Sequence, residues 1–468
     1  MRNLIGIFVL AAVLGALAPV TARGDRAQPA LRPSAADGSV AAEGGQALPG
    51  ELLVRVNPAV GLLAQRLIVS AGGREEARLD ELGVVRLRLR EGLSLEKALE
   101  LYGRLPGVDY AEPNYRLQAQ FIPNDPLFAA QRWYYNLTEV PQAWDVERGK
   151  PSVIVAVLDS GVDTMHPDLR DRIWRNPGEG VPNGVDDDKN GCIDDVHGCS
   201  FLDPEQADPS CGPLPASPSN QVADDSGHGT FVAGIIGATG NNGTGVIGAA
   251  HGVTLLPVKV LDCTGAGTTA DAAAGMLYAA RTGAQVINLS FGGERHSTTL
   301  QEAVITAVET FGAVVVAASG NQGTYGVTYP ARYRQVIAVG ASARNSPDSR
   351  APFSNWGPEV VVVAPGADLV STVPQALCGG SWVCPGGQPY SVASGTSFAA
   401  AQVAALAALI RSHSPGLTAN EVQFAIRATA QPLPDDSTPG WAGAGRIRMK
   451  RALEAVLYRI GAPGVAKD

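Results

Sequence analysis

Six short apolar runs, at residues 153–158, 254–261, 286–289, 313–317, 336–339 and 360–363, recur through the second part of the chain. They are dense in Val, Ile, Leu and Ala and lack the polar alternation of a strand with one wet face. Such runs have to be covered on both sides, which is the condition of a parallel sheet. Helical patterns lie between them, at 229–238, 271–281 and 299–311. Buried strands alternating with helices predict an α/β fold, a doubly wound and mostly parallel sheet. Ligands of such sheets sit beyond the carboxyl ends of the strands. The residues that end these runs are therefore where chemistry is expected.

The first run ends at Asp159, in Val-Leu-Asp159-Ser-Gly161. His228 stands between glycines in Ser226-Gly-His228-Gly-Thr-Phe-Val-Ala-Gly234, where a helical pattern begins. Ser397 follows Gly395-Thr396 and opens an Ala-rich and Leu-rich run that reads as a buried helix. The first N–H groups of such a helix have no partner inside it and carry partial positive charge. Each residue also has a plainer reading: an Asx turn for Asp159, a structural histidine, a helix N-cap for Ser397. Together they fit one chemistry. A serine hydroxyl is a weak nucleophile that needs a base of pKa near neutrality. Imidazole is that base, and a buried carboxylate holds it in the right tautomer. Asn321, in Ala-Ala-Ser-Gly-Asn321-Gln-Gly323, can aim its amide at a developing oxyanion.

The blocks Val-Leu-Asp-Ser-Gly-Val-Asp163, Gly-His-Gly-Thr-Phe-Val-Ala-Gly234, Asn288-Leu-Ser-Phe-Gly-Gly293 and Gly-Thr-Ser-Phe-Ala-Ala400 resemble those of the subtilisin-like serine peptidases. The thermitase-like branch is the nearest, and the likeness runs over roughly 120–460. The chain order Asp, His, Ser agrees with it. Three departures stand out: Phe231 where a His is common, Phe398 for a common Met, and Ala401-Gln402 for a common Pro-His. None removes a catalytic group. The resemblance implies a secreted serine endopeptidase that acts on protein or peptide substrates. It implies that an extended substrate pairs with Gly265, Ala266 and Gly267 on one side and Ser290, Phe291, Gly292 and Gly293 on the other. Glycine-rich edges suit strand addition, although tight turns would read the same way. The primary side-chain pocket would have Thr328 at its base and Gln322 at its rim. With no carboxylate there to pair with Lys or Arg, apolar or aromatic residues before the cut are expected.

A second motif concerns calcium. Residues 186–195 place oxygen donors at alternate positions with Gly191 sixth, as at the start of an EF-hand-type loop. The expected ligands are Asp186, Asp188, Asn190, the carbonyl of Cys192, and Asp194 or Asp195. His197 stands where the distant Glu of that loop would be, so Asp195 is expected to close the shell. A second Ca2+ site is implied by resemblance alone: Asp125, Asp168 and Asn242, with the carbonyls of Gly240, Thr244 and Val246.

The remaining segments follow. Arg2, an apolar run at 4–17 and Val20-Thr21-Ala22 read as a secretory signal peptide over 1–22; a retained membrane anchor would start the same way. Residues 23–47 read as a flexible spacer. Residues 48–118 read as a small α+β unit that resembles the family's inhibitory prodomain, an inhibitor of its own enzyme. Self-cleavage between Gln118 and Pro123 would leave 119–468 as the peptidase domain, a monomer without a membrane anchor. Six cysteines, an even number, fit export. Cys378 and Cys384 are expected to close a local loop, and Cys263 to pair with Cys192, Cys199 or Cys211. A formal charge of -9 with no basic block disfavours nucleic acid as a partner. The turn after the first run lacks Gly-x-Gly-x-x-Gly, which disfavours a dinucleotide-binding oxidoreductase. An inactive peptide-binding relative would not need all four catalytic residues, and a calcium-dependent adhesion module would leave the triad unexplained.

Overall fold

The computed structural model describes residues 47–57, 61–116, 121–180, 182–215, 218–434 and 438–461. The expected signal peptide and all but the end of the spacer lie outside them. The chain separates into two compact units between Gln118 and Ala119.

In the first unit, β1 (Ala47–Val56), α1 (Gly61–Ser70), β2 (Gly73–Leu79), β3 (Val84–Leu89), α2 (Leu95–Gly103) and β4 (Val108–Tyr115) follow in order. The strands form an antiparallel sheet of order β2-β3-β1-β4. Leu52, Val54, Val85 and Leu87 pack with Ala98 and Tyr102 of α2 into a small core. Helix α2 starts where the Ser94 side chain accepts the Lys97 amide, an N-cap. Strand β2, Gly-Arg-Glu-Glu-Ala-Arg-Leu, was not legible in the sequence. It is an edge strand, mostly exposed, and its charges discourage pairing with another chain. Glu76 bonds Arg88 of the neighbouring β3.

The second unit opens with α3 (Phe128–Leu137) and α4 (Val140–Ala143). Then come β5 (Ile154–Asp159), β6 (Cys199–Ser200), α5 (His228–Gly237), β7 (Thr254–Lys259), α6 (Thr269–Arg281), β8 (Val286–Leu289) and α7 (Thr298–Ile305). They are followed by β9 (Val314–Ala318), β10 (Val336–Ser342) and β11 (Val362–Pro365). All six apolar runs contribute a strand to a seven-stranded parallel sheet of order β11-β10-β9-β8-β5-β7-β6. From β5 the chain runs to β6 and then β7 on one side, and then to β8 on the other. The strand order reverses there, beyond the carboxyl end of β5, the kind of place where ligands of such sheets bind. Asp159 is the last residue of that strand.

A hairpin of β12 (Leu369–Thr372) and β13 (Tyr390–Ala393) leads into α8 (Thr396–His413), then α9 (Ala419–Thr429) and α10 (Met449–Gly461). Helix α8 is buried over all but its last residue, His413. Its many alanines let β8, β9, β10 and α5 approach its backbone closely. The two residues of β6 are too few to show a period, and the hairpin's short strands escaped the sequence reading for the same reason.

Candidate active site

Asp159 is fully buried. Its Oδ1 accepts the Ser160 amide at 2.8 Å and lies 2.7 Å from Nδ1 of His228. The turn reading and the histidine partnership thus hold together in one carboxylate. His228 opens α5, and Gly229 follows it. A Cβ on Gly229 would fall 2.0 Å from the carbonyl oxygen of Gly161, so only glycine lets the two segments meet.

Asp224 was missed in the sequence, where a carboxylate four residues before a histidine carries no signal. It is nearly buried. Its Oδ1 accepts from the Ser160 hydroxyl at 2.8 Å and the amides of Ser226 and Gly227 at 3.1 and 2.8 Å. Its Oδ2 accepts from the amide and hydroxyl of Thr230 at 2.8 and 2.6 Å. The Ser160 hydroxyl in turn accepts the Gly229 amide at 3.0 Å. Asp224 therefore ties the end of β5 to the start of α5. Burial alone would lower the His228 pKa. The charge and hydrogen bond of Asp159, and then the charge of Asp224, outweigh burial and hold it above the ordinary histidine value.

Ser397 is the second residue of α8 and not its cap, a place taken by Gly395. Its hydroxyl donates to the Ser290 carbonyl at 2.8 Å rather than to His228, and the Ser290 hydroxyl donates back to the Ser397 carbonyl at 2.9 Å. The His228 ring lies beside Phe398, the next residue, with ring centroids 5.5 Å apart. Asn321 is exposed. Its Oδ1 accepts the amide and the hydroxyl of Thr396, both at 2.9 Å, which leaves Nδ2 as the outward face of the amide. Thr396 was missed because a threonine before a serine looks like spacing. The buried Asn355 was missed as well. It braces the same loop by accepting the Gln322 amide at 2.9 Å and donating to Gln322 Oε1 at 2.8 Å.

Gly265, Ala266 and Gly267 are exposed, as are Gly292 and Gly293, while Phe291 is half-buried and Ser290 buried. The Ala266 carbonyl accepts the Asp262 amide and the Ala266 amide donates to the Asp262 carboxylate, while Gly293 exchanges both of its backbone bonds with Tyr329. Thr328 is buried against Gly292: a Cβ there would fall 2.3 Å from Thr328 Oγ1. Disulfide Cys211–Cys263 anchors the loop before Gly265, and Cys192–Cys199 and Cys378–Cys384 are the other two bridges.

In the acidic loop, Asp188 and Asp195 come together with Glu179, each with a carboxylate oxygen within 4.8 Å of the others. Glu179 was missed because it precedes the motif. Asn190 joins them, its amide bonded to Asp188 and Asp195 at 3.1 and 2.8 Å. Asp186 accepts the amides of Asn190 and Gly191, and Asp194 those of Asn183 and Gly184. The loop end is fixed by the disulfide of Cys192. In the second cluster Asp125 accepts the amides of Asn241 and Asn242, and Asp168 accepts Asn242 Nδ2 at 2.9 Å and the Val246 amide at 2.9 Å. The Thr244 amide donates to Asn242 Oδ1, and Gly240 packs on Ile247 and His251. Burial pushes the Asp168 pKa up to about 6. Both clusters offer only oxygen donors, the set a hard cation such as Ca2+ takes.

Residues 150–445 match the family described as the subtilase family, and residues 33–114 match the fervidolysin N-terminal prodomain. The second match begins inside the stretch read above as a spacer. The chain is 38% identical over 360 residues to a thermophilic serine proteinase of Bacillus sp. (strain AK1), covering 77% of this chain and 76% of that one. It is 35% identical over 334 residues to thermitase of Thermoactinomyces vulgaris, covering 71% of this chain and 100% of that one. A solved protease from Pseudoalteromonas arctica PAMC 21717 superposes with a TM-score of 0.58 at 30% identity, over 71% of this chain and 99% of that one.

The Asp224 charge favours the protonated imidazole of His228. Asp224→Asn should therefore lower the pH at which His228 loses its proton, as read by NMR titration of a Ser397→Ala protein. An unmoved titration would show that Asp224 acts only as a brace.

Proposed function

The chain belongs to the subtilase family and is a serine endopeptidase activated through its propeptide, and from that premise we propose that Asp159, His228 and Ser397 are its triad and Asn321 its oxyanion donor. The reading rests above all on the 2.7 Å bond between His228 Nδ1 and a buried carboxylate, which leaves Nε2 as the ring's free nitrogen. The Ser397 hydroxyl leaves Ser290, passes its proton to Nε2 and bonds to the substrate's carbonyl carbon. Asp159 steadies the imidazolium that forms. The carbonyl oxygen takes up negative charge facing Asn321 Nδ2 and the first-turn N–H groups of α8. The imidazolium then gives its proton to the departing amine, and water repeats the sequence to release the acyl group.

An extended stretch of substrate lies between 265–267 and 290–293. The neutral Thr328 beside Gly292 favours an apolar or aromatic side chain before the cut. Propeptide removal falls between Gln118 and Phe121, since Phe121 belongs to the catalytic unit's packing. The Arg148 guanidinium stands 4.2 Å over its ring, and Trp144 meets it edge-on at 5.7 Å. The apolar leader directs the enzyme to secretion as an extracellular monomer. No helix among the described residues is long and apolar enough to cross a membrane. Glu179, Asp188, Asn190 and Asp195 would hold one Ca2+, and Asp125, Asp168 and Asn242 another. The ions would be structural, offsetting the mutual repulsion of buried carboxylates and clamping the start of the catalytic unit.

Ser397→Ala should be secreted as a single unprocessed chain, lose hydrolysis by on the order of 10⁶-fold, and escape labelling by a fluorophosphonate. Ready processing of that variant would refute cleavage in cis. In a panel of peptides varied before the cut, Phe, Tyr or Leu should turn over fastest; an Arg peptide in first place would overturn the pocket reading. Chelation should lower the melting midpoint and speed heat inactivation, by about 2.7 kcal/mol of lost stability where calcium stood at a hundred times its Kd. A melting curve indifferent to chelator would remove both calcium sites.

A further inference from the structure

Phe231 and Phe398, the two aromatic departures seen in the sequence, are in contact, with ring centroids 4.4 Å apart. Phe398 also lies against His228. A third ring completes the row. Trp382 stacks on Phe231 at 5.4 Å with only 21° between the planes. It comes from the long connection between β12 and β13, inside the ring closed by Cys378–Cys384. Its backbone is held within that ring: the Gly379 amide donates to the Trp382 carbonyl at 2.9 Å, and the Trp382 amide to the Leu377 carbonyl at 3.2 Å.

The indole also makes a polar contact with the turn that starts α5. Its Nε1 donates to the Ser226 carbonyl at 2.8 Å. The next residue, Gly227, is the N-cap of α5 with φ of 88°, a backbone setting that favours glycine. A Cβ on Gly227 would fall 2.2 Å from the indole nitrogen, so the turn and the ring are fitted to each other. His228 comes directly after this turn. Asp224 already takes the Ser226 and Gly227 amides of this turn, and Trp382 adds to that hold by packing on the turn and bonding its carbonyl.

We propose that Trp382 is a positioning residue for His228, holding the turn before it through Ser226 and the face beside it through Phe231 and Phe398. The proposal rests on the reading of His228 as the general base. A base displaced by a fraction of an ångström loses rate without losing substrate affinity, because the alignment matters in the transition state. Trp382→Ala in the full chain, matured in the usual way, should lower kcat on a short apolar peptide by roughly ten- to a hundredfold. KM should change by less than about twofold. Trp382→Phe keeps the stack and loses the donor, so it should recover part of kcat. An unchanged kcat in Trp382→Ala would overturn the proposal. So would a rise in KM alone, which would make Trp382 a substrate contact, or a Trp382→Phe no better than the alanine variant. If Trp382→Ala does not mature, the Cys378→Ser/Cys384→Ser double variant keeps the indole and opens its ring. A loss of kcat there supports the proposal, and wild-type kcat overturns it. His228→Ala run alongside separates the two readings, since activity surviving that change would sink the triad instead.

Discussion

The site depends on how closely α5 can approach the end of β5. With hydrogen as its side chain, Gly229 lets the first turn of α5 rest on the Gly161 carbonyl, where any Cβ would be 2.0 Å from that oxygen. Only then does the imidazole of His228 reach Asp159, across 69 residues of chain. Asp224 holds the contact from beneath by collecting donors from both segments. The arrangement is costly taken singly, because two carboxylates are buried close together. Hydrogen bonds to Asp224 and the imidazole beside Asp159 compensate for the desolvation.

A second group of interactions sets the surroundings of Ser397, the proposed nucleophile. Thr396 spends its amide and hydroxyl on Asn321 Oδ1 and so decides which way that amide faces. Ser290 exchanges hydrogen bonds with Ser397 in both directions, joining the end of β8 to the first turn of α8. Neither feature involves a charged group. Their precision comes from short side chains whose few rotamers are filled by partners, which is what small residues at a strand end can offer.

The sheet was legible in the chain because burial on both faces leaves unbroken apolar runs, and α8 because its alanines and leucines continue for five turns. Asp159, His228, Ser397 and Asn321, the residues proposed for the site, were legible because each stands at or shortly after a strand end, or in the first turn of a helix, amid glycine. The partners of these residues were not. Asp224, Thr396, Asn355 and Glu179 act through contacts set by three-dimensional closeness, and their own neighbours in the chain show no period. The charged strand β2 was hidden for a different reason: an exposed edge needs no apolar face. Within the acidic loop, the spacing showed a donor-rich turn but not which donors converge. Glu179, from before the motif, joins Asp188 and Asp195, while also accepting the Asp187 and Asp188 amides.

Helix α8 carries Ser397 through the interior of the second unit, buried except at its far end. Its displacement would require opening the contacts of several strands at once. The segments around it are of another kind: the glycine-edged stretches 265–267 and 292–293 and much of the acidic loop are exposed to water. Local opening draws on such regions first. Heat or chemical stress should therefore loosen these stretches while the support of Ser397 is still intact. The working lifetime of the enzyme is then set at its periphery, and hardening those outer loops would lengthen it more than repacking the centre.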